Sequence, residues 1–272
     1  MECERVELRS SAPVSAGDVL DIVAREFAAR LHERESALDD MAYAISHDLR
    51  APLRAVVGFS QVLRDEHRAE LSPEAGRLVG MIAESARTLA AAIDGFAELF
   101  RVGTKPLAPE PVALDALVRT IAAELRAAAE PRDKGSEARF ELVVGELPVV
   151  EGDPALVRQA LRCLLSNAIR FSQRAVSPRI EVTARLEGSV AWIEVTDNGL
   201  GFDPRHAAQL FRPLQRLHST QDFAGLGFGL ALVRRIVQRH AGRVGASGRP
   251  ACGATFGFTI AIAAGAEQGT GS

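Results

Sequence analysis

At 272 residues the chain has room for roughly two domains of about 150 residues each. Its 47% hydrophobic and 25% charged residues match an average soluble protein and exclude disorder, collagen and a disulfide scaffold. With 32 Lys and Arg against 35 Asp and Glu, one Trp and one Tyr, it offers nucleic acid neither a basic field nor a stacking surface. The charged start MECERVELRS is no secretory signal, and no apolar run reaches the roughly 18 residues of a membrane span. Cys3, Cys163 and Cys252 are scattered and form no CxxC pair, so a reducing, cytoplasmic setting without structural zinc is expected.

In chain order, apolar residues first recur by sevens between Gly17 and about Arg64. Leu31, Leu38, Ile45, Pro52 and Phe59 mark one seam position and Met41 the alternate one, which predicts a single long helix. Leu20, Val23 and Phe27 stand four residues out of step, an insertion that locally unwinds a coiled coil. Ser72 as N-cap and Pro73 in the first helical position open a second long helix. Its stripe is Leu78, Ile82, Ser85, Leu89, Ala92, Phe96 and Leu99. Joined near 65–72, the two helices form an antiparallel hairpin. A lone hairpin cannot cover both faces of such a seam, so a homodimeric four-helix bundle is expected.

The stretch VGTKPLAPEP (102–111) holds three prolines and no periodic pattern, and a domain boundary is placed there. Beyond it the pattern predicts a helix over 114–129, a strand over 140–144, and a helix from Asp153 to Phe171 capped by Asp153 ahead of Pro154. Strands over 179–186 and 191–197 pair as a hairpin, followed by a glycine-rich stretch, a helix over 229–240 and strands over 243–247 and 254–262. Strand hairpins beside separate helices predict an α+β sandwich rather than a doubly wound sheet. The small, polar tail AAGAEQGTGS is expected to be disordered.

Four local patterns can carry chemistry. His47, in AISHDLRAPL, lies two residues past Ile45, about 200° around the helix, and so faces solvent if Ile45 lies in the seam. An exposed imidazole beside Asp48 can act as a nucleophile, the carboxylate holding one ring N–H while the other nitrogen attacks. Pro52 removes one helical hydrogen bond just beyond and should bend the helix. DNGLGF, from Asp197 to Phe202, follows a strand. A carboxylate at a strand end with two nearby glycines suits a flat ligand bearing an exocyclic amine; adenine has one, whereas guanine presents a carbonyl there. GLGFGL, Gly225 to Leu230, opens a helix whose free amides can hold phosphate oxygens. In LRCLLSNAIRFS, Asn167 and Arg170 share a face of an otherwise apolar helix. Taken singly, each motif also admits a plain reading: a surface histidine, an Asp-Asn-Gly turn, an unrelated glycine loop, a satisfied core amide.

Together, SHDLRAPL, NAIRFS, DNGLGF, LFRPLQRLHS and GLGFGL, in that order over about residues 30–262, resemble the sensor histidine kinases of two-component systems, especially those of bacterial phytochromes. The resemblance implies a leading segment (1–30), a dimerisation and phosphoacceptor hairpin (31–103), a linker (104–111), a Bergerat-type ATP-binding α/β sandwich (112–263) and a tail (264–272). It makes His47 the phosphorylated residue and Asp48 its acidic neighbour. Asn167 becomes a Mg²⁺ and phosphate ligand, Asp197 the adenine-reading carboxylate, and Gly199, Gly201, Gly225, Gly227 and Gly229 the backbone bordering ATP. Arg216 would reach the phosphates from a lid, and Arg170 would add positive charge. The phosphoryl group would pass to an aspartate on the receiver domain of a separate response regulator. Input is expected either from a separate sensor or upstream protein or through the register mismatch between Phe27 and Leu31.

The chain departs from that family in places. Cys163 stands where many relatives have a second Asn, which puts one metal or phosphate contact in doubt; Arg170 replaces a frequent Lys, Leu214 a frequent Phe, and Leu226 a small or polar residue. Four residues after His47 stands Ala51, where phosphatase-competent relatives carry a water-orienting Thr or Asn, so a kinase with weak phosphatase activity is expected. The competing reading is a catalytically degenerate dimeric scaffold for phosphotransfer or docking.

Overall fold

The computed structural model describes residues 41, 43–104, 106–128, 140–215 and 226–264. The expected helix before residue 41, with its seam residues Leu31 and Leu38, lies outside the described residues, as does most of the tail. Helix α1 spans 43–65 and α2 spans Pro73–Thr104. Ser72 caps α2 as its sequence predicts, its Oγ accepting the Ala75 N–H at 3.2 Å. The Arg50 guanidinium on α1 reaches Asp94 on α2 at 2.7 Å, so the two helices run back along one another.

The seam inside this hairpin is not the predicted one. On α1 the covered residues are Ser46, Arg50, Leu53, Val57 and Ser60, and on α2 Val79, Ala83, Ala86, Ala90, Ile93 and Ala97. Both sets follow the alternating four-and-three spacing of packed helices, and most members are small, which lets the helices approach closely. Most of the predicted stripe lies one residue away and faces out: Ile45, Pro52, Phe59, Leu78, Ile82 and Leu89 are exposed, Phe59 at 70%, with Leu49 and Val56 on the same face, whereas Ala92, Phe96 and Leu99 of the predicted α2 stripe are half-buried. Each helix therefore carries two adjacent rows, a thin one turned inward, part polar on α1 through Ser46, Arg50 and Ser60, and a bulky apolar one left uncovered.

Val102, near the end of α2, is buried in the core of the second unit. Strand β1 (Glu110–Ala113) pairs antiparallel with β3 (Val149–Gly152), a two-stranded ribbon that the sequence reading missed. Its first residues fall inside the stretch expected to be an unstructured linker. Helix α3 covers Leu114–Ala128, β2 Glu141–Val144, α4 Pro154–Ser172, β4 Arg179–Glu187, β5 Val190–Asp197, α5 Gly229–Arg239, β6 Val244–Gly248 and β7 Ala254–Ala261. The five-stranded sheet has the order β2-β4-β5-β7-β6, with β2 and β4 parallel and the other pairs antiparallel. This is the expected α+β sandwich.

Alternation builds the core. Along β5 every second residue is buried, from Ala191 to Asp197, and the apolar faces of α4 and α5 close over them through Leu161, Leu164, Leu165, Val233 and Ile236. Each such side chain, removed fully from water, contributes about 1.5–3 kcal/mol. Asp153 caps α4 by accepting the N–H groups of Ala155 and Leu156 at 3.0 and 3.1 Å, and its second oxygen accepts from Ala108 at 3.4 Å. The Asp153 N–H in turn donates to His240 Nε2 at the end of α5, at 3.0 Å. One aspartate thus ties the interdomain segment to both helices that flank the cleft described next.

Candidate active site

The chain order of the fold brings the end of β5, the C-terminal half of α4 and the start of α5 to one cavity. It is lined by Asn167, Arg170 and Phe171 from α4, by Asp197, Gly201 and Phe202 at and after β5, by Gly227, Gly229 and Leu230 around the start of α5, and by Leu210, Ala254 and Phe256. Six of the predicted site residues, Asn167, Arg170, Asp197, Gly201, Gly227 and Gly229, therefore share one wall system. Gly199 stands beside it without lining it. Arg216 and Gly225 lie outside the described residues.

Asp197 ends β5 pointing into this cavity and is only 4% exposed. Its Oδ1 accepts the Gly199 N–H at 2.8 Å. Burial among apolar side chains pushes its carboxyl up to about 6, against the opposing pull of the Gly199 and Ala254 N–H groups. A carboxylate held in an apolar slot beside Phe202, Leu210 and Phe256 is suited to a flat, amine-bearing ring, which can bury its faces and satisfy the acid at its edge. The neighbouring Asn198 serves structure instead: its amide donates to Ser177 O at 2.7 Å and its carbonyl accepts from Arg179 N–H at 2.9 Å, pinning the loop before β4.

The fold itself requires glycine at both positions, 199 and 201, after Asp197. A Cβ on Gly199 would stand 2.3 Å from Phe171 O, and one on Gly201, at φ +61°, would stand 1.8 Å from Arg249 O. Protein backbone alone excludes side chains there.

Asn167 is 8% exposed, and its Oδ1 accepts from Arg170 Nη2. The Arg170 guanidinium also lies 4.8 Å over the Phe171 ring. Asn167 therefore offers an oxygen, already beside a cation, to whatever enters the cavity. Among the described residues no group of three or more His, Cys, Asp or Glu is arranged to hold a metal. A Mg²⁺ bound here would draw on Asn167 together with oxygens of its ligand and water, a donor set this hard ion accepts. Cys163, one turn before Asn167, does not line the cavity. It packs towards Gly229, and burial pushes its thiol up to about 11.

His47 and Asp48 are on the hairpin and line no part of the cavity. Both side chains are open to solvent, at 71% and 85%, with His47 Nδ1 3.4 Å from Asp48 Oδ1. His47 is exposed even though its reference residue, Ile45, lies outside the inner seam. Sequence reasoning missed Phe171, Phe202, Leu210, Leu230, Ala254 and Phe256 as lining residues. Phe171 and Phe202 stood inside motifs already singled out, and the alternation along β7 places Ala254 and Phe256 on the helix-covered face.

A histidine displayed on a helical hairpin, joined to an α/β sandwich with this cleft, defines a two-domain phosphotransfer module. Residues 37–105 match the His Kinase A (phospho-acceptor) domain, and residues 152–264 match the histidine kinase-, DNA gyrase B- and HSP90-like ATPase. The chain is 30% identical over 265 residues to cyanobacterial phytochrome A of Nostoc, covering 94% of this chain and 33% of the relative. It is 30% identical over 238 residues to phytochrome-like protein Cph1 of Synechocystis, covering 86% and 30%. The crystal structure of full-length ShkA in complex with AMPPNP aligns with a TM-score of 0.58 at 27% identity, over 84% of this chain and 47% of that one. This chain belongs to the sensor histidine kinases and spans their transmitter region. It extends over about a third of the length of the two curated relatives. No helix among the described residues is long and apolar enough to cross a membrane.

Proposed function

We propose that the chain is an ATP-dependent protein histidine kinase that phosphorylates its own His47 and passes the phosphoryl group to an aspartate of a response regulator receiver domain. The observation that carries this reading is the single apolar cavity lined by both Asp197 and Asn167, in a chain whose hairpin holds His47 in solvent. Asp197 accepts from the adenine amine, and Asn167 and Arg170 meet the phosphates, joined by Arg216 and Gly225 from the segment before α5. Gly227 and Gly229 border the nucleotide. The amides at the start of α5, to which Phe228 gives no side-chain cap, are positioned to hold the same phosphates. Mg²⁺, held at Asn167, neutralises charge on the phosphates when bound.

At His47, Nδ1–H is held by Asp48, which leaves the lone pair of Nε2 free to attack the γ-phosphorus in line. An N–P bond forms as the bond from the γ-phosphorus to the bridging oxygen breaks, and ADP carries away the electron pair. Asp48 stabilises the positive imidazole that results. The second transfer moves the same phosphoryl group from Nε2 to a carboxylate oxygen of the regulator.

The bulky uncovered stripe of the hairpin supports a homodimer, in which Phe59, Ile82 and Leu89 are buried against a second copy as a four-helix bundle. The division into a leading segment to 30, a hairpin domain to 103, a linker to 111, a catalytic domain to 263 and a tail belongs to the same reading. So do a cytoplasmic site of action, an upstream sensor protein and weak phosphatase activity from Ala51. Incubation with γ-labelled ATP and Mg²⁺ tests the proposal. Acid-labile, base-stable label on the chain, absent from His47→Ala and Asn167→Ala, is the expected result. Label persisting in His47→Ala overturns the assignment of the acceptor, and no label on the wild-type chain favours the scaffold reading.

A further inference from the structure

Two residues that are poor choices for their own helices meet each other. Gly95 sits in the interior of α2, where alanine would be the better helix former. Phe228 is the N-cap residue of α5 and makes no side-chain capping hydrogen bond, at a position where Ser, Thr, Asp or Asn is favoured. The Phe228 ring lies in the notch that the missing side chain leaves. A Cβ on Gly95 would stand 2.4, 2.5 and 2.7 Å from three of its ring carbons. Phe96 closes the notch edge-on, with ring centroids 4.9 Å apart and planes at 79°. Around this contact Gln159 donates to Glu98, and Arg239 donates to Val102 O, so α4 and α5 are both held to the same stretch of α2.

Phe228 is flanked by Gly227 and Gly229, and both of those line the cavity. Gly227 adopts φ +79°. The backbone at the mouth of the cavity is thus two glycines hung on one aromatic anchor, and that anchor is seated on the hairpin rather than in its own domain. Where local preferences are violated on both sides of a contact, the contact itself explains the choice.

We infer that Phe228 is a positioning residue for the nucleotide, fixing the amides of Gly227 and Gly229 through its seat on Gly95. The inference rests on the nucleotide reading of the cavity. A seated Phe228 presents the two glycines in their cavity-lining positions before ligand arrives, and an unseated one leaves that ordering to be done on binding. Docking of the two domains and nucleotide affinity are then coupled, each strengthening the other by the same factor.

The test uses the whole chain and Mg²⁺·ATP in titration calorimetry. Gly95→Ala touches no cavity residue and improves the helix propensity of α2, but its methyl group displaces the ring. Affinity is expected to fall about fivefold or more, with the far-ultraviolet circular dichroism of the folded chain retained in the absence of nucleotide. Phe228→Ala is expected to lose a similar factor, and the double variant no more than either single one, because both remove one contact. Phe228→Leu, which keeps an apolar side chain over the notch, is expected to retain more affinity than Phe228→Ala. Wild-type affinity in Gly95→Ala, or losses that multiply in the double variant, overturns the inference while leaving the nucleotide site standing. Failure of the wild-type chain to bind Mg²⁺·ATP overturns the nucleotide reading and this inference with it.

Discussion

Replacing Asp197 with asparagine should stabilise the nucleotide-free protein while damaging its nucleotide site. Burial raises this carboxyl from an unfolded value of 3.8 to about 6. Below the unfolded value both states are protonated and the group has no effect on stability. As the pH rises through the interval between the two values, the unfolded chain releases its proton first, and the folded state is progressively disfavoured. Above the folded value the penalty is complete, and at about 1.4 kcal/mol per pH unit it comes to about 3 kcal/mol. At pH 5 only about half of it is present. Asn carries no such penalty at any pH and can still accept the Gly199 N–H. Urea unfolding of the nucleotide-free chain should therefore give Asp197→Asn a lead over wild type that is larger at pH 7.5 than at pH 5, by roughly 1–2 kcal/mol. Nucleotide binding at pH 7.5 should meanwhile weaken roughly 10- to 100-fold, the loss of a charged acceptor. A pH-independent difference in stability would falsify the claim that Asp197 is a desolvated carboxylate, whatever happens to binding.

Phe59→Glu, which places a charge in the centre of the uncovered stripe, should shift the chain from dimer to monomer in sedimentation velocity at micromolar concentration; a persistent dimer would show that the stripe is not the interface. Cys163 should resist alkylation at pH 8 in the folded state, since a thiol pushed up to about 11 is only about 0.1% thiolate there. Exposed Cys252 should label promptly, and mass spectrometry of the tryptic peptides separates the two. Rapid labelling of Cys163 without denaturant would mean that α4 opens towards the start of α5. Ala51→Thr should increase loss of phosphate from a phosphorylated regulator in the presence of this chain and ADP. An unchanged rate would show that the residue at position 51 does not limit phosphatase activity.

Much of the architecture could be read along the chain because it depends on local repetition. The four-and-three spacing marked both hairpin helices, Ser72 and Asp153 marked helix starts, and period-two alternation marked β4, β5 and β7. β1 and β3 went unread although the equally short β2 was recognised, because β1 (EPVA) lies in the proline-rich stretch and β3 (VVEG) runs straight into the cap of α4, so neither shows an isolated β-branched run. The cleft was half visible: Asp197, Asn167, Leu210 and the glycines lie in motifs, whereas Ala254 and Phe256 reach it only because the sheet brings β7 beside β5.

Sequence periodicity alone determined that two long helices precede an α+β sandwich, since side-chain direction repeats every 3.6 residues in one and every two in the other. It could not say which of two adjacent rows each helix turns inward. That depended on size: small Ala83, Ala86, Ala90 and Ala97 permit close helix contact, leaving bulky Phe59 and Leu89 outside. Nor could it give the reason for Gly95 and Phe228, 133 positions apart, because a notch and the ring that fills it exist only once the sandwich rests on the hairpin.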